Sequence, residues 1–194
     1  MHTETARSTF NSPVEYFASV IQRPRQGSIK LYVGRVPAGD LFKVIVHEGK
    51  QLTALGIDVV VAADDKRSAI NFPSSKIIPP KEIQGTKFTE MDYGEIQRRL
   101  PDVVVVDDLL HLNLDTQQAE RRYHNIKTFL SLGISVIASV YSSWDENLKS
   151  ILRHFGSGNP VPVEKWASLP HDELVALVFT PKETFSHAEL LELN

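Results

Sequence analysis

Residues 29–43 set an apolar strand, Ile29-Lys30-Leu31-Tyr32-Val33, ahead of Gly34-Arg35-Val36-Pro37-Ala38-Gly39 and a helical pattern opening at Asp40-Leu41-Phe42-Lys43. A strand that turns through glycine and proline into a helix is the frame of a phosphate-binding loop, and it points to layered α/β architecture. The nucleotide-binding form of that frame needs Gly-Lys-Ser/Thr at the helix start. The lysine there reaches the β/γ-phosphates and the hydroxyl holds Mg²⁺. Depending on register, this chain offers Gly39-Asp40-Leu41 or Asp40-Leu41-Phe42. Both lack the lysine and the hydroxyl, which argues against ordinary ATP hydrolysis.

Strand and helix patterns alternate along the rest of the chain. Ser12-Pro13-Val14-Glu15 reads as a capping box opening a helix to Ile21. A helix over 41–55 follows the first strand, with Leu41, Ile45 and Leu52 or Leu55 near helical spacing and Gly56 as its cap. The second strand is Ile57–Val61, apolar except for Asp58. Residues 76–89 read as a small excursion with a turn at Gln84-Gly85, and Asp92-Tyr93-Gly94-Glu95 caps a helix ending at Leu100-Pro101. Val103–Val106 is the third strand, and a helix over 116–132 carries Ala119, Tyr123, Ile126 and Leu130 on one stripe. Ile134–Val140 is the fourth strand, a helix spans 144–155, Leu174–Phe179 is a fifth strand, and 186–193 forms a terminal helical turn. The expected fold is a doubly wound, mainly parallel sheet with helices on both faces, like a P-loop NTPase. Residues 1–194 are read as one domain, with a lead-in over 1–26, a core over 27–182 and a tail over 183–194.

Composition narrows the function classes. A net charge of −3 gives no electrostatic case for nucleic acid or an anionic membrane surface. With no cysteine, thiolate nucleophiles and Cys-ligated zinc are excluded. No apolar run approaches the roughly 20 residues of a membrane span, and Met1-His2-Thr3-Glu4 lacks the basic and apolar regions of a signal peptide. The expectation is a soluble cytoplasmic protein without direct membrane insertion.

In a doubly wound sheet, ligands sit outside the carboxyl ends of the strands. Gly34–Asp40, Ala62-Ala63-Asp64-Asp65 and Asp107–Asn113 converge there. An Asp closing an apolar strand can hold Mg²⁺ beside a phosphate loop, and Asp107 is in that position; strands also end in a polar residue simply because the sheet stops.

These segments resemble the N-terminal cytoplasmic domain of the KdpD sensor kinases, bacterial potassium and turgor sensors, from about Gly27 to Lys182. Gly27-Ser28-Ile29-Lys30-Leu31-Tyr32-Val33-Gly34 is similar to the family's opening strand, and the pattern runs ungapped to Gly56-Ile57-Asp58-Val59-Val60-Val61. Leu100-Pro101 through Asp107-Asp108-Leu109-Leu110-His111-Leu112-Asn113 resembles the family's Pro, apolar strand and Asp-Glu-Leu-Ala-His-Thr-Asn. Arg121-Arg122-Tyr123 stand at its Lys-Arg-Trp, and Leu130-Ser131-Leu132-Gly133-Ile134 follow at the expected spacing.

The departures fall in the loop. The resemblance sets Ala38-Gly39-Asp40-Leu41-Phe42 on the family's Gly-Val-Gly-Lys-Thr, so the last glycine, the lysine and the threonine become Asp40, Leu41 and Phe42. A bare helix N-terminus attracts anions, but Asp40 can cap it and repel a phosphate. Lys43 turns to a different helix face, whereas Lys30 or Arg35 could reach in. Ala63-Asp64-Asp65-Lys66 stand at the family's Glu-Thr-His, and Tyr141-Ser142-Ser143-Trp144 at its Asn-Val-Gln-His. The vestigial nucleotide site implied by the resemblance comprises Gly34, Pro37, Gly39, Asp40, Asp107, Asp108, His111 and Asn113, with Asp107 as the cation ligand.

Each surviving residue also has a plainer reading. Asp107 caps the following loop, Asp108 is one more solvated acid, and His111 bonds the loop backbone; the alternatives are a metal ligand, a water activator, and a ligand or pH switch. Arg121 and Arg122 are expected on an exposed basic helix face. Two functions follow. One is a non-catalytic regulatory domain in potassium or osmotic signalling, without a cofactor, acting on a sensor kinase, a potassium-transport regulator or a second copy of itself. The alternative is a domain that still binds ATP with Mg²⁺, or another phosphorylated ligand, through a rearranged loop.

Overall fold

The computed structural model describes residues 13–21, 27–34, 38–64, 71–113, 120–141, 150–151, 154–155, 164–165, 175–181 and 188–190. In chain order these form α1 (Pro13–Ile21), β1 (Ile29–Gly34), α2 (Ala38–Ala54), β2 (Val59–Ala62), a 3₁₀ turn (Ser74–Lys76), β3 (Ile77–Ile78), β4 (Lys81–Glu82) and β5 (Thr89–Glu90). They continue with α3 (Tyr93–Arg99), β6 (Val103–Val106), α4 (Arg122–Ser131), β7 (Ser135–Tyr141), β8 (Glu164–Lys165), β9 (Val175–Pro181) and β10 (Ala188–Leu190).

Strands β1, β2, β6 and β7 read as near-continuous apolar runs because both of their faces are covered. The main sheet runs β10-β9-β1-β7-β6-β2-β3. β1, β7, β6, β2 and β3 are parallel, and β9 lies antiparallel against β1. Side-chain alternation divides the core in two. Ile29, Leu31, Val33, Val104, Val106, Val136 and Ala138 face α3 and α4, meeting Ile96, Ile126 and Phe129. Tyr32, Val59, Val61, Val103, Val105 and Ile137 face α1 and α2, meeting Phe17, Leu41, Ile45 and Leu52. The doubly wound α/β reading holds.

Local chemistry sets the element ends. The Asp92 carboxylate accepts from the Glu95 N–H at 2.9 Å and caps α3. Gly56 and Gly133 take positive φ after α2 and α4, as helix C-caps favour. Leu100 does the same after α3 at φ 47°, a conformation that glycine would adopt more easily.

Two expectations need correction. α4 begins at Arg122, and Glu120 and Arg121 of the expected 116–132 helix are not helical: Leu112 and Arg121 form an antiparallel bridge, and the Arg122 N–H donates to the His111 carbonyl at 2.9 Å; residues 116–119 lie outside the described residues. Ala119 of the expected stripe lies outside the described residues. Within 186–193, residues 188–190 are a strand, β10, paired antiparallel with β9. Of the two alternatives for the end of the α2 stripe, Leu52 fills the core position and Leu55 is exposed.

β1 connects through α2 to β2, beyond β7 and β6, whereas the chain after β7 continues to β9 on the other side of β1. The connections therefore diverge between β1 and β7, and the carboxyl ends of these strands, Gly34 beside Tyr141, mark the crevice where ligands bind in such sheets.

Candidate functional site

The two halves of the expected site have different fates. In the first turn of α2, Asp40 is exposed and its carboxylate accepts from Lys43 Nζ at 2.9 Å. Leu41 is 0% exposed, packed in the core between α2 and the sheet. Phe42 packs partly buried against the same core. Gly34 is buried as the last residue of β1, and Gly39 lies in the first turn of α2. Arg35 and Pro37 lie outside the described residues.

Lys30 does not face the loop. Lys30 is 1% exposed, and its ammonium lies 3.2 Å from the Glu48 carboxylate of α2, which also accepts a hydrogen bond from the Tyr32 hydroxyl. Lys30 lies four residues before the end of β1, about 13 Å away at strand rise. Glu48 lies ten residues into α2, about 15 Å from its start. The pair therefore ties strand to helix well below the crevice.

The other half is a dense polar cluster at the carboxyl ends of β2, β6 and β7. Asp107 Oδ1 accepts from Ser139 Oγ at 2.5 Å, from the Tyr141 hydroxyl at 2.6 Å and from the Asp108 N–H at 3.0 Å. Residues 107, 139 and 141 share parity with the strand residues facing α2, so this knot closes the α2 side of the crevice. Burial and the adjacent Asp107 charge push the Tyr141 hydroxyl pKa up. Asp108 sits at φ 34°, its N–H also donating to Ser139 Oγ at 2.8 Å and its Oδ1 accepting from the Leu110 N–H at 3.1 Å. Burial raises its carboxyl pKa.

Behind this loop stands Arg122, which is fully buried and corrects the expected exposed basic face. It donates to Asp64 Oδ2 at 2.8 Å and to the Asp107 carbonyl. Burial opposes its charge, but Asp64, Tyr93 and Glu90 outweigh that and raise its pKa. Burial likewise raises the Asp64 pKa in spite of Arg122. His111 Nε2 is 3.3 Å from Glu90 Oε1, so the histidine meets a carboxylate as well as bonding the loop through its backbone. Asn113 is buried, and its side-chain oxygen accepts from the Tyr93 hydroxyl at 3.0 Å. Burial drives that phenol up to about 12.

The structure thus gathers Asp107, Asp108, His111 and Asn113 around Arg122, Asp64, Glu90, Tyr93, Ser139 and Tyr141. Sequence reasoning missed Glu90, Ser139 and Tyr141 and misjudged Arg122. Ser139, a hydroxyl inside an apolar strand, was the legible signal. Among the described residues no group of three or more His, Asp or Glu side chains is placed to hold a metal ion.

A family model described as "KdpD: Osmosensitive K+ channel His kinase sensor domain" matches residues 25–163. The chain belongs to the KdpD family. Among curated proteins it is 27% identical over 157 residues to the sensor protein KdpD of Mycobacterium tuberculosis (strain ATCC 25618 / H37Rv), covering 78% of this chain and 18% of that protein. It is 32% identical over 123 residues to sensor protein KdpD of Rathayibacter rathayi, covering 60% and 14%. It is 24% identical over 135 residues to sensor protein KdpD of Escherichia coli (strain K12), covering 66% and 15%. The chain thus spans under a fifth of the length of these relatives. Among its described residues, no helix is long and apolar enough to cross a membrane.

Proposed function

We propose that this KdpD-family chain is a non-catalytic regulatory domain of potassium or osmotic signalling through a two-component system. It acts in the cytoplasm through protein contacts, with a sensor kinase, a potassium-transport regulator or a second copy of itself. In this reading its phosphate loop is degenerate and it uses no nucleotide.

The burial of Leu41 carries the reading. In the family register this residue occupies the place of the phosphate-binding lysine, yet its side chain belongs to the core under the sheet. An apolar group fixed there offers a triphosphate no charge. Three observations add weight. Asp40 sets a carboxylate where free helix N–H groups would attract an anion. Lys30 is held by Glu48. Asp107 Oδ1, the group expected to meet Mg²⁺, takes three donors of the protein itself. A Mg-nucleotide does not fit these residues.

The test is the melting temperature with and without millimolar Mg-ATP. The reading expects no change, because a ligand that does not bind the native state cannot stabilise it. A saturable rise would favour the nucleotide-binding alternative.

A further inference from the structure

Among the described residues, three of the five exposed large apolar side chains stand at one end of the sheet: Leu55 at 51%, Leu100 at 58% and Leu132 at 48% exposure. Each lies in a turn that leads from a helix into one of three adjacent strands. Leu55 follows α2 and precedes β2, Leu100 follows α3 and precedes β6, and Leu132 follows α4 and precedes β7. Val59, Val103 and Ser135 are register partners in those strands, and the leucines come four, three and three residues before them. All three therefore stand just past the amino end of the sheet, at strands about 4.8 Å apart. Leu100 is the decisive member. Its φ of 47° is matched at the other two turns by Gly56 and Gly133, residues that adopt such angles without strain. A leucine at this position strains the turn and adds nothing to the core, which points to a contact outside the domain. The surrounding charges are settled within the chain. Arg99 and Lys76 hold Asp58, Arg98 meets Glu95, and the Asp102 carboxylate accepts from the Asp58 N–H at 2.9 Å. Three acids thus meet three bases, which leaves no excess for a nucleic acid or an anionic lipid to read.

We propose that this leucine ridge is a two-fold self-association surface, covered by the same ridge of a second copy of the chain. A two-fold contact sets a patch against itself, so that residue i meets j and j meets i. With Leu100 near the axis, Arg98 and Asp102, both exposed and two residues to either side of it, come opposite one another across the two copies. This cross-pairing selects a second copy over an unrelated apolar partner. It needs no vacant charge. Arg98 meets Glu95 through Nη2, and a guanidinium has further N–H donors, while a carboxylate that accepts one N–H can accept others. Both residues keep their present partners and still reach across. The ridge is small beside the roughly 800 Å² per partner of a standard interface, so the dimer is weak and forms only at high local concentration. The inference rests on the reading of action through protein contacts and names one such contact.

Sedimentation velocity on the full chain, from about 10 µM to about 1 mM, is the test, a range suited to an interface below standard size. The weight-average mass should rise from 21.8 kDa toward twice that value. Leu100→Gly relieves the strained turn, so its melting temperature should hold or rise, while the Kd for association rises at least about tenfold as the central side chain is lost. Leu132→Ser, at an exposed position, should weaken association in the same direction without unfolding the chain. Arg98→Glu sets like charges against Asp102 across the axis and should weaken it as well. A mass that stays at 21.8 kDa throughout, or an association that both leucine variants leave unchanged, overturns the proposal. A monomer whose melting still ignores Mg-ATP would fail this surface alone and leave the nucleotide-free reading standing, whereas a dimer stabilised by Mg-ATP would fail that reading alone.

Discussion

Replacing Glu48 with glutamine keeps the shape of the side chain and removes the charge that compensates Lys30. The ammonium cannot relax to water: it lies in the middle of β1, between β7 and β9, 5.1 Å from the Tyr32 ring centroid and 5.9 Å from that of Phe17. Those rings face it with their negative π-clouds, worth about 0.5–2 kcal/mol each, which falls short of a full counter-charge. Breaking one partner of a buried pair costs about 3–5 kcal/mol. For a domain of this size, at about 2–4 °C per kcal/mol, Glu48→Gln should lower the melting temperature by roughly 6–20 °C. The triple variant Lys30→Met/Tyr32→Phe/Glu48→Leu removes both charges and the hydroxyl together. It should return to within about 1 kcal/mol of the wild type, since well-packed apolar replacements of a buried pair are often neutral. Urea unfolding followed by circular dichroism on the wild type, Glu48→Gln, the three single variants Lys30→Met, Tyr32→Phe and Glu48→Leu, and the triple measures this directly. A Glu48→Gln loss below about 1 kcal/mol, or a triple-variant loss equal to the sum of the singles, refutes the reasoning.

Two other perturbations probe the scaffold. At Gly27, whose N–H donates to the Leu130 carbonyl at 2.8 Å, a Cβ would overlap the Ile134 carbonyl; Gly27→Ala should therefore cost about 1–3 kcal/mol in urea unfolding, and a neutral result would mean that this strand entry can shift freely. The His154 ring packs against Tyr123, His124 and Phe155, and burial, with Lys127 and His124 adding to it, lowers its pKa to about 4. The unfolded chain then binds the extra proton between about pH 6.5 and pH 4, so stability falls as pH drops through that window and levels off below it. His154→Phe should flatten this limb in stability–pH curves, and an unchanged slope would assign it to other groups.

Much of the fold was legible because a parallel sheet covered on both faces needs strands such as Val103–Val106 that are apolar throughout. The α2 stripe and the Asp92 cap were equally direct, being set by helical spacing and by one side chain close in sequence. What escaped depends on long-range contact. Arg122 next to Arg121 has the sequence of a solvated basic face, and only its meeting with Asp64, 58 residues away, turns it inward. The helix start moved for a related reason, since the Leu112–Arg121 bridge overrides local propensity. Lys30 sits in the first strand with a side chain long enough to reach the loop, and only Glu48, 18 residues away, directs it into the core instead. In the site, the loop from Asp107 to Asn113 was readable as a unit, but the Ser139 and Tyr141 hydroxyls that engage Asp107 come from a strand 32 and 34 residues further on.

Calorimetric titration of Mg-ATP into the intact chain, beside a variant carrying Asp40→Gly, Leu41→Lys and Phe42→Thr, tests the regulatory, nucleotide-free reading most directly. The reading predicts no saturable heat for the natural chain and measurable affinity once the ammonium and hydroxyl are supplied. Micromolar binding by the natural chain would contradict it.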